Sequence, residues 1–390
     1  MRICFWSTTF QSDTHALAHY LASQPDCEVT VVMAEPERFR RAPVLSLLPF
    51  PGRLCTREEA SEQHARGGAF DCVVLDNHVP GFAIAPRVYV LWHGFGWRVD
   101  DLKTMRKELS RLVGDVSEDN PRFRWQAIGH WDRRYRIEHS QLSPSNVLAL
   151  GSPFSDWLLP GSALRARFDK RAQQASYSID LSRPVVLLAL TWHHIGSLGH
   201  WGDEEQRLGQ LFEHIAARGA STLLRMHDRR RYRSSYVKLV ERLAARFSGS
   251  LMLKWKDSAP DSLLDLLVSD VCISNYSSLL NTFYFTERPS IHIDPHDAAA
   301  ACQQTYKMVM GWPMRKTLSS ADDLWKLPPD QHGGLRAQSF DQLLAHVDTA
   351  LADPACCITR ARKFIADYVA DANGQSCERT ANALRSWLRE

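Results

Sequence analysis

No Cys-x-x-Cys pair occurs in this chain, although it contains nine cysteines. They are scattered apart from the adjacent pair Cys356-Cys357, and their number is odd. That usage fits reduced thiols in the cytosol and argues against a disulfide framework or a structural zinc site. Long apolar runs are also missing: none reaches the roughly 20 residues a membrane span needs. The opening Met1-Arg2-Ile3-Cys4-Phe5-Trp6 passes from a short apolar strand straight into polar residues and lacks the apolar core of a signal peptide. Low-complexity segments and internal repeats are absent. Neither sign of charge dominates: 47 basic against 44 acidic residues give a net +3, which does not argue for a nucleic-acid partner. The expected location is cytoplasmic.

What the chain does have is alternation. At 390 residues it is long enough for two domains, and 44% hydrophobic against 23% charged residues is the balance of a globular protein. Apolar strand candidates are Arg2–Trp6, Glu28–Met33, Asp71–Leu75, Val88–Trp92 and Asn146–Leu150, then Pro184–Leu190, Thr222–Met226, Leu251–Trp255, Val271–Ile273 and Ser290–Ile293. Helical stretches fall between them, including Ala16–Ala22, Arg57–Ala65, Glu204–Ala217 and Tyr236–Arg246. Near-continuous apolar strands separated by helices predict parallel sheets covered on both faces, hence an α/β chain of two doubly wound, Rossmann-like domains. The expected division is 1–160, a linker at 161–183, a second domain at 184–357, and a helical segment at 358–390 that crosses back onto the first domain. A ligand cleft is expected between the domains.

Four stretches at strand ends carry polar chemistry. Asp261 to Ser278 reads as an amphipathic helix, the buried strand Val271-Cys272-Ile273, and a turn with two hydroxyls opening a second helix. Such a turn serves equally as an anion site at a helix N-terminus or as simple serine capping. His93 follows an apolar strand and precedes Gly94 and Gly96, where a ligand can approach backbone. A neutral imidazole there accepts a proton from an attacking hydroxyl, or merely hydrogen-bonds a turn. His227 ends another strand, beside Arg225 and within a basic patch that suits a phosphate or is only a solvated loop. Thr191-Trp192-His193-His194 reads as a ligand-facing loop rather than a metal site, because adjacent side chains seldom converge on one ion and no carboxylate stands at ligand spacing. The basic aromatic stretch Arg122–Trp125 with Trp131–Arg136 is open to three readings: an ordinary surface with tucked-in aromatics, an anionic membrane or acceptor contact, or nucleic-acid binding.

These residues carry a resemblance. Trp92-His93-Gly94 resembles the Trp-His-Gly-Thr motif of the CDP-glycerol glycerophosphotransferase family, which includes the teichoic-acid primases and polymerases and related capsule polymerases. Gly151-Ser152-Pro153-Phe154-Ser155-Asp156-Trp157-Leu158 resembles its Gly-x-Pro-Arg-Asn-Asp-x-Leu, Leu190-Thr191-Trp192 its Pro-Thr-Trp, and Arg225-Met226-His227 its Arg-Leu-His-Pro. Ser269-Asp270 through Ser277-Ser278 resembles its Ser-Asp-x-x-x-x-Asp-Tyr-Ser-Ser, and Asp371 to Arg379 its terminal Asp-Gly-x-Ala-x-x-Arg. The chain departs from the pattern at Phe95, Phe154-Ser155, Asp228 and Asn275.

The resemblance implies a GT-B architecture. It also implies transfer of glycerol phosphate or a similar polyol phosphate from a CDP-activated donor to a hydroxyl of a glycan or lipid-linked acceptor, with release of CMP. The alternative is a GT-B glycosyltransferase using a nucleotide sugar in cell-surface polysaccharide synthesis. His93 and His227 match the family's essential histidines, and Ser277 and Ser278 its nucleotide-diphosphate contacts. With them, Gly94, Thr191, Trp192, Arg225 and Asn275 form the expected substrate-binding set. No metal, no cofactor and no nucleic-acid partner is expected. Lipid-linked acceptors would place the protein peripherally on the cytoplasmic face of the inner membrane, with Arg122–Arg136 as the local support.

Overall fold

The structure is a computed structural model. It describes all residues except 8–9, 11, 66–69, 77, 92–98, 191–197, 276, 295–304, 310–311 and 317–330, and gives backbone alone at 99–104, 305–309 and 312–316. His93, Gly94, Thr191 and Trp192 lie outside the described residues.

Seven strands build the first sheet: β1 (Arg2–Trp6), β2 (Glu28–Val32), β3 (Arg53–Cys55), β4 (Cys72–Leu75), β5 (Val88–Leu91), β6 (Phe123–Ala127) and β7 (Val147–Ala149). They run parallel in the order β3-β2-β1-β4-β5-β6-β7. The second half holds β8 (Val185–Ala189), β9 (Ser221–Met226), β10 (Leu251–Trp255), β11 (Val271–Ser274) and β12 (Ser290–Ile293). An antiparallel hairpin, β13 (Thr305–Val309) with β14 (Trp312–Lys316), precedes β15 (Leu335–Ala337). The second sheet is parallel in the order β10-β9-β8-β11-β12-β15. Both sheets are therefore doubly wound. Each reverses its strand order once, between β1 and β4 in the first and between β8 and β11 in the second. Carboxyl ends of strands at such a reversal are where open α/β sheets bind ligands.

The chain forms two compact units: residues 1–164 with 260–263 and 366–390, and residues 165–259 with 264–365. The central strands are sealed from water on both faces: Val185 to Leu188 of β8 are 0% exposed, as are Ile3 to Phe5 of β1. That double burial is why these strands read as unbroken apolar runs rather than alternating ones.

In the basic aromatic stretch several aromatics are tucked into the fold, as the first of its three readings has it. Phe123 and Trp125 are core residues of β6, and Trp131–Arg136 lies in the helix His130–Ser140. Arg136 is fully buried, its guanidinium 5.2 Å from the Trp125 ring centre and its Nε 3.0 Å from Asp132 Oδ1. Arg133 donates to the carbonyls of Val147 and Pro144, and Arg122 to that of Pro86. These side chains tie the strands and loops at this end of the sheet together. Among the described residues no helix is long and apolar enough to cross a membrane.

Residues 366–390 complete the first unit. The Asp156 carboxylate accepts the N–H groups of Ser376 and Cys377 at 3.0 and 2.7 Å, capping the helix Ser376–Arg389 from a distant segment. Ala370 N–H donates to Ile128 O, and Trp387 Nε1–H to Pro121 O. Gly151 sits at φ +88°, and a Cβ there would stand 2.7 Å from Ala370 O, so glycine is required for this close approach.

Candidate functional site

In the second unit the sequence-predicted residues that are described gather at the carboxyl ends of β9 and β11. His227 follows β9 directly, where the buried strand emerges. Its backbone N–H donates to the Tyr232 hydroxyl at 3.1 Å, while its Nδ1 lies 2.8 Å from Asp228 N and 3.0 Å from Asp228 Oδ2. Burial drives its pKa down to about 4, the cations Lys256 and Arg231 add to the fall, and Asp228 opposes it. The imidazole is therefore neutral at pH 7. Burial works against ionising Asp228, but His227, Lys256 and Arg231 outweigh it and hold the carboxyl below the usual range. Arg231 Nε reaches Asp228 Oδ2 at 3.2 Å.

Nδ1 thus faces both the Asp228 N–H and the ionised Asp228 carboxylate. A neutral imidazole with its proton on Nε2 is a hydrogen-bond donor toward an oxygen anion.

Arg225, at the end of β9, is bonded inward. It is 7% exposed, donates to Asp265 Oδ2 at 2.5 Å and to Ala259 O at 3.1 Å, and so acts as a strut beneath the strand ends. Asp265 is wholly buried on the helix Leu263–Val268 and also accepts from Lys254 Nζ at 2.6 Å and Tyr177 Oη at 2.8 Å. Burial raises the Asp265 pKa, but the two cations and the Tyr177 bond more than reverse it and keep the carboxylate charged.

At the β8/β11 reversal, Ser274 Oγ donates to Ala189 O, tying the two strands together where their order turns. Asn275 is 1% exposed. Ser277 is half-buried and caps the helix Ser278–Phe283, its Oγ accepting Leu279 N–H at 3.3 Å. That helix has six residues, and Ser278 opens it. The capping role anticipated at this turn is filled by Ser277. Among the described residues no group of three or more His, Cys, Asp or Glu could hold a metal ion.

The first unit carries polar residues that the sequence pattern did not single out. Ser7 follows β1 and Asp76 follows β4, on the two sides of that sheet's reversal, and His78 lies two residues further on. The available signal was a buried strand running into Asp76-Asn77-His78.

Comparison with known proteins places this geometry in a fold. No protein-family model matches the chain, and neither does any curated protein sequence. Solved structures do match. The wall teichoic acid polymerase TagF superposes with a TM-score of 0.67 at 14% identity, covering 100% of this chain and 89% of that one. A variant of the same polymerase gives 0.69 at 13%, with the same coverage. A structure titled a putative UDP-N-acetylglucosamine 2-epimerase from Listeria monocytogenes gives 0.55 at 11%, covering 99% and 96%. The two Rossmann-like units thus belong to the GT-B fold.

Proposed function

We propose that this protein transfers a glycerol phosphate or similar polyol phosphate from a CDP-activated donor to a hydroxyl of a glycan or lipid-linked acceptor. The observation that carries the reading is His227: a neutral imidazole at a strand's carboxyl end, held by Asp228 among Arg231 and Lys256. Such a group donates to a phosphate oxygen without adding a formal charge that must be desolvated.

The motif resemblance supplies the second participant. His93 takes the proton of the acceptor hydroxyl, and that oxygen forms a bond to the distal phosphorus of the donor. The bond from that phosphorus to the bridging oxygen breaks, and CMP leaves with the electron pair. His227 donates to the oxygens on which charge builds. Phosphoryl transfer asks for positioning and charge neutralisation more than for covalent chemistry. Ser277, Ser278, Asn275, Gly94, Thr191 and Trp192 are the proposed donor and acceptor contacts, and Arg225 serves by bracing the strand below His227.

The alternative is a nucleotide-sugar transferase on the same scaffold. It is favoured by the fold match to a structure titled as a UDP-sugar epimerase and by the departures at Phe95, Asp228 and Asn275. Its attack falls on the anomeric carbon, so its products are a glycoside and a released nucleotide.

The test is a thermal-shift panel with CDP, CMP, UDP, GDP and CDP-glycerol, followed by CMP-release assays on wild type, His93→Ala and His227→Ala. A bound nucleotide well above its Kd stabilises the native state. Selective stabilisation by cytidine nucleotides is expected, with turnover lost by about 100-fold or more in each variant. Stabilisation by UDP or GDP alone selects the sugar-transferase reading, and near-normal turnover in both variants rejects the proposed roles.

A further inference from the structure

The amino ends of three neighbouring strands in the first unit border a cavity of about 470 Å³. Met1, Asp71 and Arg87 line it, and they stand immediately before β1, β4 and β5, which are adjacent in the sheet. The last turn of the helix Ser376–Arg389 closes the other side with Arg385, Leu388 and Arg389. Open α/β sheets bind the ligands of their chemistry at strand carboxyl ends. This cavity lies at the other end of the same strands.

Three guanidiniums meet the cavity, and their counter-charges are unequal. Arg385 is committed to Asp26: its Nε and Nη2 reach the two carboxylate oxygens, each at 2.9 Å, in a bidentate pair. That pair holds the Asp26 carboxyl below its usual range. Asp71 is committed to Arg2, accepting its backbone N–H at 2.7 Å with the guanidinium 3.8 Å away. Arg87 and Arg389 form no ion pair among the described residues. Arg87 donates to Trp387 O, and its guanidinium carbon lies 5.6 Å from the Trp387 ring centre. That contact uses one of its five donors and fixes the direction of the rest.

Two positive charges on the cavity wall are thus left without a carboxylate. The carboxyl-terminal pole of the helix offsets about half a charge, so the balance stays positive. A planar guanidinium fork suits a phosphate, and a phosphate monoester brings nearly two negative charges at pH 7. The volume falls in the range of small-molecule sites, which leaves room for an organic body beside Leu388.

We propose that this cavity binds a phosphate monoester, with the phosphoryl oxygens held by Arg87 and Arg389 and the organic body against Leu388. The inference does not rest on the transferase reading, because the site holds its ligand without reacting with it. Occupancy ties the end of the helix Ser376–Arg389 to the start of β5, and so favours the seated helix.

Calorimetric titration of the full chain with phenyl phosphate tests this, with phenol as the control that lacks the phosphate. Saturable heat is expected with phenyl phosphate and not with phenol. Arg389→Gln, at an exposed side chain, and Arg87→Gln, which keeps an N–H for Trp387 O, should each weaken binding by about tenfold. His227→Ala should bind as wild type does, which separates this site from the one proposed in the second unit. Absence of binding in wild type, or unchanged affinity in both arginine variants, overturns the site. Loss of binding in His227→Ala with none in the arginine variants also overturns it, and assigns the phosphate to the transfer site. Co-sedimentation with phosphatidylcholine vesicles, with and without phosphatidic acid, identifies the source of the phosphate. Binding to the acidic vesicles that both arginine variants lose makes it a lipid headgroup, and calorimetric binding without co-sedimentation makes it a soluble ester.

Discussion

Asp228 Oδ2 lies 3.0 Å from His227 Nδ1, and the Asp228 backbone N–H approaches the same nitrogen to 2.8 Å. Asp228 stands where the resembling family has proline, a residue with neither a carboxylate nor an N–H to offer. It is the one neighbour that raises the His227 pKa, against burial, Lys256 and Arg231. Asp228→Ala should therefore lower that pKa further below about 4. An imidazole NMR titration of the variant checks this, and a rise instead of a fall would show that the carboxylate does not face the ring.

His227 also couples stability to acidity. Its folded pKa of about 4 lies below the ordinary 6.5, so the native state takes up its proton later than the unfolded chain does. The contribution is full above about pH 6.5 and is lost as pH falls toward 4. The span corresponds to roughly 3 kcal/mol. His227→Asn should melt with a smaller difference between pH 7.5 and pH 4.5 than wild type, by calorimetry at both values.

Glu204 gives the opposite sign. Burial raises its pKa to about 7, against bonds from the Gly199 backbone and the Tyr236 hydroxyl, the latter at 3.2 Å. A carboxyl that folds protonated stabilises fully below its unfolded pKa and loses that contribution as pH rises through about 7. Wild type should lose stability between pH 6 and 8, and Glu204→Gln should not. Urea midpoints at the two pH values decide it.

Asp265 neutralises two cations beneath the strand ends, Arg225 at 2.5 Å and Lys254 at 2.6 Å. Removing a buried counter-charge costs more than the pair is worth, about 3–5 kcal/mol, because the partners remain behind in low dielectric. Asp265→Ala should lose about that much in equilibrium denaturation. A loss under 1 kcal/mol would mean that Arg225 and Lys254 find solvent, and would reopen a substrate-facing place for Arg225.

Much of the fold is legible in the sequence, because strands buried on both faces have to be continuously apolar. Val185–Ala189 and Val271–Ser274 announce themselves that way. Phe123–Ala127 does not, because Arg124 and Gln126 break the run. Gln126 is nonetheless buried, accepting from Tyr89 Oη at 2.6 Å and Thr380 Oγ1 at 3.1 Å and donating to Gly151 O at 2.8 Å. Its partners lie 37, 254 and 25 residues away, out of reach of any local pattern. Arg53–Cys55 and Leu335–Ala337 are three residues each, too short for periodicity to register. At the candidate site the same division holds. His227 is conspicuous because it ends an apolar strand, while the destiny of Arg225 depends on Asp265, 40 residues on. Asp76 and His78 follow a strand just as His227 does, but the pairing with Ser7 bridges 69 residues.

The first unit is assembled from both ends of the described chain, with residues 366–390 capped by Asp156 and seated on Gly151. On the ribosome, the other unit's residues up to 365 must emerge before that closure. At about 5–20 residues per second the wait is of order 10–40 s. Through that interval the second unit is free to fold while the first holds an open seat, with Asp156 and Gln126 waiting for partners. A nascent chain stalled before residue 366 should leave the second unit protected from protease and the first one susceptible, an order of maturation opposite to the order of synthesis.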